Sequence, residues 1–365
     1  KPFDGALSKY QQGILEGILS GGVATRDRLF KAAIVPTPNC PCCQQVDSAP
    51  HLFFNCSTSA TPSIWKDHFS EYGHTWQCTG VFQRSKPMQK AFKDLDLIPS
   101  HRIFRDKNTS ATRAWAWTDG SAENTFSDIL ARSGAGIFCP LLNLSLSVPV
   151  PGITQTNQRA EAFALLVIVR EATNPLWVRT DSEWCILCWD AITLLQAVPH
   201  DIEHRDIWTE LFDIVRDLPL CSDGAPFFIP SWVKGHASEL HIQAGLSTDV
   251  DLYGNDKADR LAATAARMYK PLPEIYSAVD TAVIDTLCAQ SNMILAIQRR
   301  MQWLTDHDQL PGSVFYESSC NPNDIAPDQW NPDLLRGPVF SRRKDLYPSY
   351  PWQCDLAVGA IHHFV

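Results

Sequence analysis

Four short segments between Trp115 and Ala262 place carboxylates where side chains from different elements can converge: Thr118-Asp119-Gly120-Ser121, Thr156-Asn157-Gln158-Arg159-Ala160-Glu161, Thr180-Asp181-Ser182 and Gly254-Asn255-Asp256-Lys257-Ala258-Asp259. Taken singly, Asp119 and Asp181 read as turn residues. Glu161, Asp256 and Asp259 read as acids favoured in the first turn of a helix. Taken together they form a set of hard oxygen donors suited to Mg²⁺ or Mn²⁺. Two such ions about 3.5–4 Å apart support in-line displacement at phosphorus, by activating a water and stabilising the leaving oxygen.

The elements that must position these groups follow one another in a clear rhythm. Residues 114–118 read as a strand ending at Asp119. Residues 133–139, with small side chains at Gly134, Ala135 and Gly136, and residues 144–150 read as two more strands. A helix over 157–171 carries Glu161 in its first turn, and a strand over 176–180 ends at Asp181. Helices over 183–196 and 207–217, a strand over 227–233 and a helix over 255–269 complete the block. This order implies a mixed sheet, antiparallel first, with helices on its faces.

Upstream, residues 7–19 and 25–34 read as two short helices, the second with Thr25 as N-cap and Leu29, Ala32 and Ala33 on one face. Cys40-x₂-Cys43-x₇-His51-x₄-Cys56 follows. Three thiolates and an imidazole satisfy tetrahedral Zn²⁺, with the two close cysteines forming the knuckle. Cys42 is a spare thiol that competes for the place of Cys43. The bland alternative is a group of buried free cysteines. Cys185-x₂-Cys188 has no partner pair at metal spacing and reads as helix core. Residues 57–100 are mixed, with a helix-like stretch at 64–72. Residues 101–113 are polar and basic and read as a linker. A long helix over about 275–304 precedes a stretch rich in Pro, Asp and Asn.

The block over about 112–270 resembles a type 1 ribonuclease H domain. That resemblance implies an α/β fold of five mixed strands flanked by helices. Asp119, Glu161, Asp181 and Asp259 match the family's four metal-binding carboxylates, and Trp232-Val233-Lys234-Gly235-His236 matches the loop carrying its mobile histidine. By the same resemblance Asp119 bridges two Mg²⁺ (or Mn²⁺) ions, Glu161 and Asp181 hold the one near the leaving group, and Asp259 holds the one near the attacking water. His236 moves protons or helps product leave. Gly120, Ser121, Asn157 and Gln158 would contact an RNA–DNA hybrid, where the 2′-hydroxyl distinguishes RNA. The Cys/His segment resembles the zinc-binding segment downstream of non-LTR retrotransposon reverse transcriptases, which implies an upstream polymerase as partner. Two departures stand out. Residues 237–254 are longer than the family's usual loop, and residues 197–206 lack the basic protrusion of some members.

The expected organisation is a helical segment with zinc knuckle over 1–75, a linker over 76–113, the catalytic domain over 114–270 and a C-terminal extension over 271–365 with no legible role. The chain opens on Lys1 and runs at once into a helical pattern, which fits a piece of a longer polypeptide. The net charge of −9 divides unevenly: +5 over residues 1–113, −9 over 114–270 and −5 over 271–365. Side chains for phosphate contact are thus concentrated upstream of the carboxylates, and weak hybrid affinity is expected of the catalytic domain alone. The 12 cysteines lack a disulfide framework and fit a reducing compartment, nucleus or cytoplasm. No apolar run has the length of a membrane helix. The reading is a hybrid-cleaving endonuclease from a retrotransposon polyprotein. A non-catalytic nucleic-acid-binding derivative and a cellular hybrid-cleaving enzyme are the alternatives.

Overall fold

The computed structural model describes residues 7–58, 80 and 84–309. The described residues divide into two compact units, one drawn from those up to 85 together with those from 277 on, the other from residues 86–276. The stretch at 64–72 and the chain beyond 309 lie outside the described residues.

In chain order the first elements are α1 (Lys9–Leu19) and α2 (Arg26–Lys31). Ser8 starts α1 with a reciprocal cap: its hydroxyl accepts from Gln11 N, and the Gln11 side chain accepts from Ser8 N. The second helix is shorter than its pattern, because Ala33 turns left-handed at φ 57°. A π-helical turn over His51–Asn55 follows.

The other unit opens with α3 (Lys86–Lys93). It continues with β1 (Ala114–Glu123), β2 (Arg132–Cys139), β3 (Leu144–Pro149), α4 (Asn157–Glu171) and β4 (Leu176–Thr180). Next come α5 (Glu183–Leu195), α6 (Arg205–Arg216), β5 (Phe228–Trp232), α7 (Glu239–Gln243) and α8 (Asp249–Ala266). A long α9 (Pro273–Asp306) closes the described chain. No helix among the described residues is long and apolar enough to cross a membrane.

The five strands form one sheet in the order β3-β2-β1-β4-β5. Pairing is antiparallel through β3, β2 and β1 and parallel through β1, β4 and β5. This is the mixed sheet that the element order implied and the ribonuclease H-like architecture that the resemblance implied. One face of the sheet presents Ala114, Ala116, Leu176, Val178 and Phe228 to a core that includes α4. That helix is buried continuously from Ala160 to Glu171, as a helix enclosed on all sides must be. Cys185 lies in the same core, with Cys188 packed against it, as a structural reading of that pair requires.

The opposite face is built for close approach. Side chains added at Gly134 or Gly136 would overlap the backbone of α8 near Ala266, Ala258 and Ala262. The bare strand and the alanine side of α8 therefore seat the helix directly on the sheet.

Two boundaries next to the carboxylates also differ from the sequence reading. First, β1 runs through Asp119 instead of ending there. Its pairing with β4 stops at Thr118, but its pairing with β2 continues from Asp119 to Glu123. Second, α8 begins at Asp249, ahead of the expected 255. Thr248 caps it by accepting from Asp251 N at 3.0 Å. Gly254-Asn255, read as a helix start, lies inside the helix, and a side chain at Gly254 would overlap the Trp117 indole. The expected long loop over 237–254 therefore contains α7 and the first turns of α8.

The stretch read as a linker is hydrogen-bonded to the sheet unit. Lys107 Nζ donates to the carbonyls of Val169, Arg170 and Ala172 at 2.6, 3.0 and 2.8 Å, which closes the C-terminus of α4. His101 and Arg105 both meet the buried carboxylate of Glu171 at 2.8 Å.

The discontinuous unit has its own core. Ile18 and Val23 of the α1 region, Leu52 and Phe53 of the π-helical turn, and Met293, Ile294 and Ala296 of α9 are buried together. The sequence assigned no role to the region holding α9.

Candidate active site and the Cys-His cluster

The carboxylates meet where three elements converge on the sheet. Asp119 sits within β1 and Asp181 follows the last residue of β4, while Glu161, expected in the first turn of α4, is its fifth residue and lies in the second turn. Thr156 fixes the start of α4 by accepting from Arg159 N at 3.1 Å. Gly120 lets that start come close, because a side chain there would overlap Glu161 N. One donor oxygen from each of Asp119, Glu161 and Asp181 lies within 4.8 Å of the others.

This grouping is electrostatically expensive without a cation. Burial first, then the charges of Asp181 and Asp259, push Asp119 up to about 8. Burial, then Asp119 and Asp181, hold Glu161 well above the ordinary carboxylate range. Hydrogen bonds from Gly120 N–H to both groups act the other way. Glu161 Oε2 is buried without a hydrogen-bond partner. A set of oxygens so arranged fits divalent metal, which supplies the missing positive charge.

Asp259 is outside the trio, but its charge acts on Asp119. Asp256, the other candidate on α8, is instead paired with Arg260 at 3.0 Å. Asn255, which sequence reasoning passed over, donates from Nδ2 to Asp181 Oδ2 at 3.3 Å, and its Oδ1 is buried without a partner. Its signal was present, since it stands beside Asp256 in the quoted motif.

His236 is exposed after β5, with a left-handed backbone at φ 45°. The preceding Gly235 lies against Asp181, whose carboxylate a side chain there would overlap. Trp232 Nε1 donates to the Asp181 carbonyl at 3.2 Å. Asn157 and Gln158 are exposed at the start of α4, Ser121 is half-buried on β1, and Gly120 is buried. Several upstream bases expected to contact phosphate are already engaged: Lys31 with Asp27, Lys90 with Asp94, Arg105 with Glu171 and Arg113 with Asp223, each at 2.8 Å.

The second cluster lies in the other unit. Donor atoms of Cys40, Cys43, His51 and Cys56 all lie within 4.8 Å of one another. The first two come from a tight turn closed by Cys40 N to Gln45 O at 2.7 Å and Gln44 N to Cys40 O at 2.8 Å, with Gln44 left-handed at φ 63°. His51 opens the π-helical turn and Cys56 ends it. Cys43 Sγ is 3.3 Å from His51 Nε2. Cys42 does not replace Cys43 in the four-donor group, although its Sγ is 3.0 Å from Cys40 and 3.1 Å from Cys56. Burial opposes ionisation of Cys40, but hydrogen bonds from Cys42, His51 and Arg300 outweigh it and lower its thiol to about 6. The soft set of three sulfurs and an imidazole fits Zn²⁺.

The sheet, its helices and the carboxylate trio define a ribonuclease H-like domain. Residues 111–267 match the family model described as RNase H, at family level a group of nucleic-acid hydrolases. A ribonuclease H of Schizosaccharomyces pombe (strain 972) is 27% identical over 129 residues, covering 33% of this chain and 41% of that protein. The chain thus spans about two fifths of that relative's length. A foamy viral protease–reverse transcriptase, solved in complex with double-stranded DNA, is 20% identical over 42% of this chain and 94% of that one, with a TM-score of 0.30.

Proposed function

We propose that this chain hydrolyses the RNA strand of RNA–DNA hybrids by a two-metal mechanism, and that it is part of a retrotransposon polyprotein. The observation that carries the reading is the trio Asp119, Glu161 and Asp181, gathered within 4.8 Å from three elements, with burial opposing the charge of Asp119 and Glu161. These three with Asp259 would hold two Mg²⁺ or Mn²⁺ ions. When bound, the ions supply an activated water and charge stabilisation at the leaving 3′-oxygen.

The chain's own residues supply position. Asn255 fixes the Asp181 carboxylate, and Gly120 donates its N–H to Asp119 and Glu161. Asn157 and Gln158, at a helix N-terminus that favours phosphate, offer amides to 2′-hydroxyls and base edges. Ser121 and Gly120 border the same strand. His236, on its exposed turn, exchanges a proton with water or product. Cys40, Cys43, His51 and Cys56 would hold a structural Zn²⁺. Their position upstream of the catalytic domain supports the retrotransposon context and an upstream reverse transcriptase as partner, and the free cysteines support a reducing intracellular compartment.

The full chain, incubated with labelled RNA–DNA hybrid and Mg²⁺, should cut the RNA strand to 5′-phosphate and 3′-hydroxyl ends. Asp119→Asn should fall to background. No cleavage by the zinc-retaining wild type would overturn the reading, and equal cleavage of duplex DNA would overturn the choice of substrate.

A further inference from the structure

A guanidinium from the far end of the chain is buried against the thiol cluster. Arg300, on α9, donates from Nη1 to the sulfurs of Cys40, Cys42 and Cys56 at 2.9, 3.0 and 3.2 Å. Its Nη2 lies 3.1 Å from Asp47 Oδ1, and both side chains are almost fully buried, at 6% and 5% exposure. Asp47 is itself fixed, because its Oδ2 accepts from Arg26 N at 2.9 Å and its own N–H donates to Pro38 O at 2.9 Å. One planar cation thus joins the cysteine turn, the start of α2 and α9. Around it, Met293, Ile294 and Ala296 pack with Ile18, Leu52 and Phe53.

A buried guanidinium is costly to desolvate, and the cost is offset only where it meets anions in good geometry. Of the three sulfurs that Arg300 touches, those of Cys40 and Cys56 belong to the four-donor group. Sulfurs that share a divalent ion are thiolates, and N–H donors aimed at them offset the charge they retain. A fork that touches three sulfurs and a carboxylate at once is a geometry that arginine can make and lysine cannot.

We propose that Arg300 is the positioning residue of the Cys-His metal site, and that metal occupancy and the seating of α9 are reciprocally coupled. The inference rests on the zinc reading given above. Metal holds the thiolates that anchor Arg300, and Arg300 holds the sulfurs in the arrangement that binds metal. Linkage makes the two effects equal in size. The region after the catalytic domain is thereby part of the metal module.

The test uses the full chain and Zn²⁺ itself. Zinc content and affinity are measured by metal analysis and competition with a chelator, and hydrogen exchange is followed along α9 and α4. The wild type should hold one zinc. Chelation should speed exchange in the part of α9 that carries Met293 and Arg300 and leave α4 unchanged. Arg300→Met should weaken zinc binding about 10–100-fold and speed α9 exchange even in excess zinc. Arg300→Lys should be intermediate, and Asp47→Asn should shift in the same direction. Wild-type zinc affinity in Arg300→Met, with α9 exchange indifferent to chelation, would overturn the coupling alone. A wild type that holds no zinc would overturn the metal reading and the coupling with it. If Arg300→Met does not fold, chelation of the wild type decides.

Discussion

Asp119 and Glu161 are carboxylates that burial would rather protonate, held side by side by backbone geometry that gives them no escape. Their identities were legible because each stands in a short motif whose neighbours shape the turn or helix start around it. Asn255 was not legible as a site residue, since nothing in a linear motif shows that its amide reaches Asp181. A second buried group at the edge of this site supports a prediction on acid. His204 Nε2 lies 3.2 Å from the hydroxyl of Thr156, the cap of α4. Burial lowers the His204 pKa below 6.5, Arg159 adds to this, and Glu203 and Asp206 oppose it. The folded state thus prefers the neutral ring, and the unfolded state binds more protons. That part of the stability is present above the unfolded value and is lost as pH falls through it. Buried Asp119 and Glu161 act the other way, because the folded state keeps their protons as pH falls. The urea midpoint of His204→Asn, which tolerates the left-handed backbone (φ 58°), should therefore rise relative to that of the wild-type sheet unit between pH 7 and pH 5. Equal changes in both proteins would remove His204 from the account.

Elements were read well where local pattern decides and poorly where a partner decides. The core helix α4 and the short strand β4 follow from their own periodicity. The length of β1 follows from β2, which keeps pairing after β4 has stopped. The start of α8 follows from Thr248, whose capping role was masked by the glycine six residues on. The segment over 101–113 reads as polar chain, yet Lys107 is spent on the carbonyl end of α4. The contact of α8 with β2 is the most exacting of these dependencies. Gly136→Val would press a branched side chain into the backbone at Ala258 and Ala262. Overpacking of a core costs about 1–3 kcal/mol, and here the obstacle is main chain, so a loss at the upper end is expected. Because α8 carries Asn255 and Asp259, cleavage should fall even at temperatures where the variant is folded. A thermal midpoint within about 2 °C of wild type, roughly half a kcal/mol for a unit of this size, would show that the helix can retreat at little cost.

The whole molecule is two units, and the sequence showed only one of them clearly. The sheet unit is contiguous and carries a repeating pattern. The other is assembled from stretches that flank it, and no local signal ties Cys56 to a residue 244 positions away. The charge split survives as a count, but several of the upstream bases are already paired. Two compact units with separate cores should unfold as two transitions in calorimetry. Removing zinc with a chelator should lower the one that reports α1 and α9 by several degrees and leave the other in place. Chelation that lowers both equally would mean a single cooperative block.

The separation between Cys56 and Arg300 also sets an order of events at the ribosome. Chains emerge at about 5–20 residues per second and fold domain by domain. The 244 residues between these partners therefore take roughly 12–50 s to appear at that pace. The entire sheet unit, residues 86–276, is synthesised within that interval, and its fold can be complete before the Arg300 end of α9 exists. Until then the nascent cysteine turn lacks both its guanidinium and the apolar wall behind it. In a living cell these thiols gain their shelter only after the whole sheet unit has been made.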